Sequence, residues 1–350
     1  MIDYESGRKL ATLEVVRDIL PIPDADRIEV AVVRGWHVVV EKGEVRKGDL
    51  VVYFEIDTAL PLFDEQYLFD FLSARGEKVI DGRRYHILRT MRLRGVYSQG
   101  LVLPAWEVEY ALGEGYFSQV EVGHDLTKAL GLGKYEPPVP ANSGSIIGPF
   151  LQHYARVTDA ERVQNLTSVW DQIQAIPGWI ATEKIDGTSA TLIRDNDGRI
   201  RLCSRNWEIA KGDNLYWNTV RDYFGDEDSI KLPTGMGIQF EIAGPGIQGN
   251  PLRLRKLRPF IFGYTYLTVS QFRYSDGGYP DLMAPVYDLT LPPTIDEVIA
   301  QADGIESLAA PGCKAEGIVW HQSAGSTLQA LDYRTCFKAI SNTYILKGKP

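Results

Sequence analysis

Short apolar runs punctuated by glycine dominate the first third of the chain. Arg27 to Glu41, Leu50 to Ile56 and Val96 to Leu103 are rich in Val and Ile, and Gly35, Gly43, Gly48 and Gly95 divide or flank them. That spacing predicts short, curved strands of a small β-barrel. Residues Gln66 to Ala74 predict a short helix inserted between strands.

The pattern changes further on. Thr158 and Glu161 have capping-box spacing, and Val163, Leu166, Trp170 and Ile173 share one helical face, so a helix is expected there, packed beneath the next strand. That strand approaches through Trp179, Ile180, Ala181 and Thr182; Asp186 and Gly187 predict a turn, and Thr188 to Arg194 a strand leaving it. Met236 to Phe240 and Pro259 to Tyr266 are further strand-like runs. Leu130 to Phe150, rich in Gly, Pro and Ser, reads as a linker. A chain of 350 residues exceeds the usual single core. The expected division is 1–129, a linker over 130–150, and 151–350.

Candidate chemistry centres on Glu183-Lys184-Ile185-Asp186-Gly187-Thr188-Ser189. A lysine held before a turn can attack an electrophile only as the free amine, and an ordinary amine of pKa ~10.4 is almost wholly charged near neutrality. Nearby cations or a metal ion are therefore expected to lower it. Downstream stand Ser204-Arg205-Asn206, Phe240-Glu241 with Gly244-Pro245-Gly246, Phe260-Ile261-Phe262, Glu316-Gly317-Ile318-Val319 and Phe337-Lys338.

This ordered series resembles the covalent nucleotidyltransferase superfamily of ATP-dependent DNA ligases, RNA ligases and mRNA capping enzymes, whose signature begins Lys-x-Asp-Gly. The resemblance implies that Lys184 attacks the α-phosphorus of ATP to form lysyl-AMP, that AMP passes to a 5′-phosphate end, and that a 3′-hydroxyl displaces it. It further implies that Lys338 receives the phosphate charge and that Glu316 holds Mg²⁺ or Mn²⁺, with Glu241 as a second candidate metal ligand. By the same resemblance Glu241 accepts from ribose hydroxyls, Arg205 contacts phosphate or ribose, Phe262 stacks on adenine and Glu183 meets the adenine edge. Asp186 and Gly187 complete the nucleotide pocket. Phe260 and Phe262 occupy alternate positions of an apolar run, which leaves core packing open for either. In one respect the chain departs from the pattern: related ligases commonly close with Lys-x-Lys, and here Ile340 stands at the second position. Lys347, a main-chain donor, or Lys338 alone are the alternatives.

The chain ends at Pro350, twelve residues past Lys338. No C-terminal OB domain of the replicative-ligase or capping-enzyme kind is expected. An N-terminal module ahead of the transferase resembles the plan of the Deinococcus and Naegleria type of RNA ligase. So does Thr158 to Leu166, while Pro21-Ile22-Pro23-Asp24-Ala25-Asp26-Arg27 resembles a loop of OB domains related to tRNA-binding modules. The implied fold is α+β: an OB-fold barrel, then an adenylation domain of antiparallel sheets with flanking helices.

A formal net charge of −9 argues against a generic basic nucleic-acid binder and against an acidic-membrane role. Against that background Arg75, Lys78, Arg83, Arg84, Arg89, Arg92 and Arg94 cluster, as do Arg253, Arg255, Lys256 and Arg258, and both groups are candidate phosphate contacts. Cys203, Cys313 and Cys336 lack metal-site spacing and cannot all pair, which suits a reducing, cytoplasmic setting. No histidine sits in a zinc pattern, though His321 follows the Glu316 station. Neither a signal peptide nor a membrane span is visible, and no obligate protein partner is indicated. The expected function is ATP-dependent joining of RNA ends at duplex nicks. The alternatives are a DNA nick ligase, which differs in the sugar required at the 3′ end, and an inert transferase fold that only binds nucleic acid.

Overall fold

The computed structural model describes residues 1–62, 68–136, 144–155, 160–266, 271–273, 278–322, 331 and 336–346. They divide into two units, Met1–Pro138 and Val139–Pro350.

In the first unit the strand Ala11–Pro21 pairs antiparallel with Ile28–Val33 on one side and Leu50–Phe54 on the other. Ile28–Val33 continues to Trp36–Glu41, and Leu50–Phe54 to Leu101–Pro104. The sheet curls closed where Gln99 N–H donates to His37 O at 2.9 Å and Val39 N–H donates to Ser98 Oγ at 3.0 Å. A register shift between Val16 and Asp18 lets the eleven-residue first strand bend into both halves. This strand order is the OB barrel. Its interior holds Val16, Val33, Val51 and Val102 with Trp36 stacked on Tyr53, ring centroids 5.9 Å apart, while Leu13, Val52, Phe54 and Leu103 form a second cluster on the outer face under the helix Ala105–Leu112.

Two of the expected single strands are each two strands. Arg27 to Glu41 turns at Arg34, which has φ 54°. Val96 to Leu103 divides at Gly100, where φ is +106° and a Cβ would lie 2.4 Å from Phe54 O. The long connection between Phe54 and Leu101 builds a second sheet with Thr58–Pro61, Arg83–Ile87 and Lys78–Ile80, and a hairpin of Met91–Leu93 with Val96–Ser98. The helix expected over 66–74 is a 3-10 turn at Asp70–Arg75; positions 66 and 67 lie outside the described residues.

The expected linker carries structure at both ends, because each end completes a sheet. Gly133–Tyr135 lies between Ile2–Asp3 and Thr58–Pro61 in the first unit, and Ile146–Pro149 pairs with Trp207–Ile209 in the second. The first unit thus continues past 129.

The second unit contains two sheets. The larger has seven strands, in the order Ile146–Pro149, Trp207–Ile209, Ile200–Ser204, Thr188–Arg194, Met236–Ala243, Arg258–Tyr266 and Gln271–Arg273. The helix Leu215–Phe224 covers one face, burying Tyr216, Val220 and Phe224 against Leu192, Phe240 and Ile261. Its Asn214 cap accepts from Trp217 N–H at 3.0 Å. The smaller sheet runs Glu161–Arg162, Cys336–Ile340, Gly317–Gln322, Trp179–Lys184 and Val286–Tyr287.

Val163, Leu166, Trp170 and Ile173 are all buried against the smaller sheet, together with the capped helix Ile295–Ala302. They do so without the expected continuous helix. Glu161 and Arg162 extend the sheet by pairing in parallel with Phe337 and Lys338, and only a 3-10 turn at Val163–Leu166 and a helix at Trp170–Gln174 follow. Glu161 accepts from Asn165 Nδ2 at 2.9 Å, and the proposed capping partner Thr158 lies outside the described residues.

Phe337 is fully buried, edge-on to Trp170 at 5.8 Å and to Trp179 at 5.1 Å. Phe337→Ala is expected to cost roughly 3–5 kcal/mol by leaving a cavity there. Chemical denaturation should show the unfolding free energy falling by that amount, with an unchanged m-value.

Candidate active site

The chain crosses from the smaller to the larger sheet at one turn. Trp179–Lys184 belongs to the first and Thr188–Arg194 to the second, so Ile185, Asp186 and Gly187 span the gap. Gly187 has no alternative there. A Cβ on it would lie 2.3 Å from Ile242 O and 2.8 Å from Glu241 Cγ. The turn therefore presses directly on the strand that carries Glu241.

Alternation along Trp179–Lys184 sends successive side chains to opposite faces. Ala181 and Glu183 face the helices; Thr182 and Lys184 face away from them. In register, Thr182 lies beside Val319 and Val319 beside Lys338, while Lys184 lies beside Gly317 and Gly317 beside Ile340. Lys184 and Lys338 thus share a face. On the larger sheet Phe240 and Ile242 enter the core under the helix Leu215–Phe224, which leaves Glu241 on the opposite face. Gly317 cannot carry a side chain either, since a Cβ would meet Ala339 O at 2.2 Å.

Lys184 Nζ donates to Glu316 Oε2 at 2.5 Å. Burial acts to lower the amine's pKa, but the charge and hydrogen bond of Glu316, with Glu241 and Asp186 behind them, outweigh it and hold the amine above its ordinary value. This corrects the expected lowering. The groups around the amine are mainly carboxylates, which favour the ammonium form. Burial also pushes the Glu241 carboxyl up to about 8, with Glu316 and Asp186 repelling its charge and Lys184 and Arg205 drawing it the other way.

Glu183 has a different task from the expected adenine contact. Both of its oxygens are used on the helix side: Ser307 Oγ donates at 2.5 Å, Leu308 N–H at 2.8 Å and Ala309 N–H at 2.9 Å. Those bonds oppose the burial that raises its pKa. It anchors the loop leading to Glu316.

Arg205 sits half-buried in the hairpin between Ile200–Ser204 and Trp207–Ile209, close enough to act on Glu241. Phe262 occupies a bulge: Gly263 pairs with Gln239 and Ile261 with Phe240, so the register shifts there. It is half-buried, whereas Phe260 is core against Ile185, Ala243 and Leu252.

Arg162, Tyr344 and Tyr216 carried no sequence signal, whereas His321 and Lys347 did. Arg162 is buried and in register with Lys338 on the same face. Tyr344 OH donates to Asp186 Oδ2 at 2.9 Å, and Thr188 Oγ1 shares a hydrogen bond with Tyr216 OH at 2.9 Å. Buried His321, in contact with Thr182 Oγ1 at 3.0 Å, is pushed down to about 3 by burial and stays neutral. Lys347 lies outside the described residues.

Among the described residues no three His, Cys, Asp or Glu side chains form a ready metal cage. Glu316, Glu241 and Asp186 are nevertheless hard oxygen donors acting on one lysine. A divalent ion that keeps water and substrate oxygens as its other ligands suits such a set.

The candidate nucleic-acid contacts are exposed. Arg83 and Arg84 lie on the strand Arg83–Ile87; Arg89, Arg92 and Arg94 lie on or beside the hairpin Met91–Ser98. All belong to the connection between the fourth and fifth barrel strands, a loop that binds oligonucleotides in OB folds generally. Arg84 is drawn back by Glu77 at 3.3 Å. In the second unit Arg253, Arg255 and Lys256 are exposed on the loop after Gly244, where Gln248, Asn250 and Arg253 all have positive φ. Cys203, Cys313 and Cys336 are unpaired, and no described helix is long and apolar enough to cross a membrane.

A strand-borne lysine at a crossover between two sheets, facing carboxylates, in a chain whose first unit is an OB barrel, marks the fold of the ligase-type nucleotidyltransferases. An OB-fold domain model matches residues 10–105 and the RNA ligase family model matches residues 177–340. A Naegleria gruberi RNA ligase variant with AMP and Mn is 34% identical, with TM-score 0.84, over 98% of this chain and 99% of that one. Another variant of the same ligase, with ATP and Mn, is 34% identical with TM-score 0.82 over 97% and 99%. The Naegleria gruberi ligase with pyrophosphate is 34% identical with TM-score 0.82 over 98% and 99%. No curated protein matches the sequence. The chain belongs to the RNA ligase family.

Two outcomes follow from this geometry. Glu183→Ala leaves three donors without their acceptor and should cost on the order of 3 kcal/mol, with faster protease cutting between 303 and 316. In metal-free protein, the unfolded chain ionises Glu241 near its ordinary 4.5 and the folded chain near 8, so stability should fall as pH rises through that window. Lys184, raised above its ordinary 10.5, is charged in both states there and adds no slope. Glu241→Gln should flatten the decline in a melting series under chelator; an unchanged slope would contradict a protonated Glu241.

Proposed function

We propose that this chain is an ATP-dependent RNA ligase that joins a 3′-hydroxyl RNA end to a 5′-phosphate end at breaks held in a duplex, through lysyl-AMP on Lys184. The observation that carries the reading is the Lys184 amine at the sheet crossover, bonded to Glu316 and flanked by Glu241 and Asp186. The Naegleria ligase structures contain ATP, AMP, Mn and pyrophosphate, the participants such chemistry requires.

In this reading Lys184 gives up a proton and attacks the α-phosphorus. A nitrogen–phosphorus bond forms, the bond to the β-phosphate oxygen breaks, and pyrophosphate leaves. The 5′-phosphate then displaces the lysine and takes the AMP. Finally the 3′-hydroxyl attacks that phosphate, forming the phosphodiester and releasing AMP. Glu316 and Glu241 would hold a divalent ion, which supplies positive charge against the carboxylates and the phosphate oxygens. Once Glu316 is engaged in that way, Lys184 loses its main support as an ammonium. The expectation of a freed amine thus concerns the loaded site.

Lys338 would receive developing phosphate charge from the shared face, and Arg162 beside it would add the cation missing at Ile340. Phe262, half-buried at the bulge, would stack on adenine; Arg205 would reach phosphate or ribose. Arg83, Arg84, Arg89, Arg92 and Arg94, with Arg253, Arg255 and Lys256, would follow the RNA backbone.

Incubation with α-labelled ATP and Mg²⁺ or Mn²⁺ should label the wild-type chain and leave Lys184→Ala unlabelled; equal labelling would remove the nucleophile. A nick with a 3′ ribonucleotide should seal faster than one with a 3′ deoxyribonucleotide, and equal rates would favour a DNA nick ligase. Unpaired ends should seal more slowly than either. Separately, replacing Arg92 and Arg94 with Gln should weaken duplex binding and reduce the slope of log K against log salt by about 1 per lost phosphate contact.

A further inference from the structure

We propose that Tyr344 is a positioning residue for the first, lysine-adenylating step: its hydroxyl fixes Asp186 in the nucleophile turn, so that residues 341–346 brace two of the carboxylates acting on Lys184. The inference rests on Lys184 being the nucleophile.

Tyr344 lies 158 residues from Asp186 in sequence, yet its hydroxyl donates to Asp186 Oδ2 at 2.9 Å. Asp186 is buried and Tyr344 half-buried. Burial, then the charge of Asp186 and its hydrogen bond, and Glu316 hold the phenol well above its ordinary range, so it remains a donor.

The segment that presents Tyr344 is itself tied to Glu316. Ser341 N–H donates to Glu316 O at 2.9 Å. Ser341 Oγ accepts from Gly304 N–H at 3.0 Å and Tyr344 N–H at 3.1 Å, and donates to Asp303 Oδ1 at 3.1 Å. Thr343 N–H adds a bond to Asp303 Oδ1 at 2.6 Å. A helix of five residues, Asn342–Leu346, is too short to hold its form alone, so these anchors set its place. One short segment therefore grips the Glu316 main chain through Ser341 and the Asp186 side chain through Tyr344.

Asp186 and Thr188 flank Gly187, and each is met by a phenol from a different element, Tyr344 and Tyr216. Gly187 itself is wedged against Ile242. The turn is thus fixed at three consecutive residues immediately after the nucleophile. In-line attack tolerates little error, since a displacement of about 1 Å can cost about 10²-fold in rate.

The test uses the full chain, α-labelled ATP and Mn²⁺, following lysyl-AMP formation in a single turnover. Tyr344→Phe keeps the ring and removes only the hydroxyl. It should slow lysyl-AMP formation at saturating ATP by about tenfold or more, with the half-saturating ATP concentration within about twofold and the melting temperature close to wild type. In a Asp186→Asn background, Tyr344→Phe should add no further loss. Tyr344→Leu, lacking ring and hydroxyl, should share the rate defect. Wild-type rates for Tyr344→Phe, multiplicative losses with Asp186→Asn, or a defect confined to Tyr344→Leu would each overturn the proposal. A wild-type chain that forms no lysyl-AMP would instead overturn the nucleophile assignment on which it rests.

Discussion

The contact between the Lys184 amine and the Glu316 carboxylate is what the rest of the second unit serves. A lysine among buried carboxylates is stable as an ammonium and inert as a nucleophile, so the resting state of the site lies on the wrong side of its chemistry. That state is also a protected one. In the proposed reading the charge that holds the amine protonated is the same charge that would take a divalent ion, so accepting a nucleotide with its metal and freeing the amine would become one event. Glu241, whose carboxyl burial pushes up, has the same double character.

Such an arrangement needs two sheets and a short crossover. Helices cover the outer faces, burying Phe240 and Ile242 on one side and Ala181, Ile318 and Phe337 on the other. The opposite faces are left to the charged groups. Alternation gives adjacent residues unlike tasks: Glu183 anchors the 307–309 loop while Lys184 faces the site. Glycine at 187 and 317 is required by close backbone approach.

The first unit applies similar economy to a different problem. Its barrel closes by the contact of Trp36–Glu41 with the segment before Leu101, and the chain between the fourth and fifth strands is free to carry exposed arginines. An acidic chain can then offer phosphate a local positive surface without becoming a general polyanion binder. The basic loop after Gly244 has another source, a run of positive φ angles that holds its shape.

The sequence by itself determined the family, the order of its motif stations and most strands, because these depend on residue type, spacing and local periodicity. Lys184 before its turn, the Glu316 and Lys338 stations, and the apolar set Val163, Leu166, Trp170 and Ile173 were all legible in that way. Only the tertiary structure decided that Glu183 is an anchor, that the Lys184 amine is held up instead of down, that Phe262 sits at a bulge, and that Arg162 and Tyr344 lie beside Lys338 and Asp186. The reason is physical. A pKa or a hydrogen bond sums over neighbours in space, and the hydrogen-bond partners of Lys184 and Asp186, Glu316 and Tyr344, lie 132 and 158 residues away along the chain.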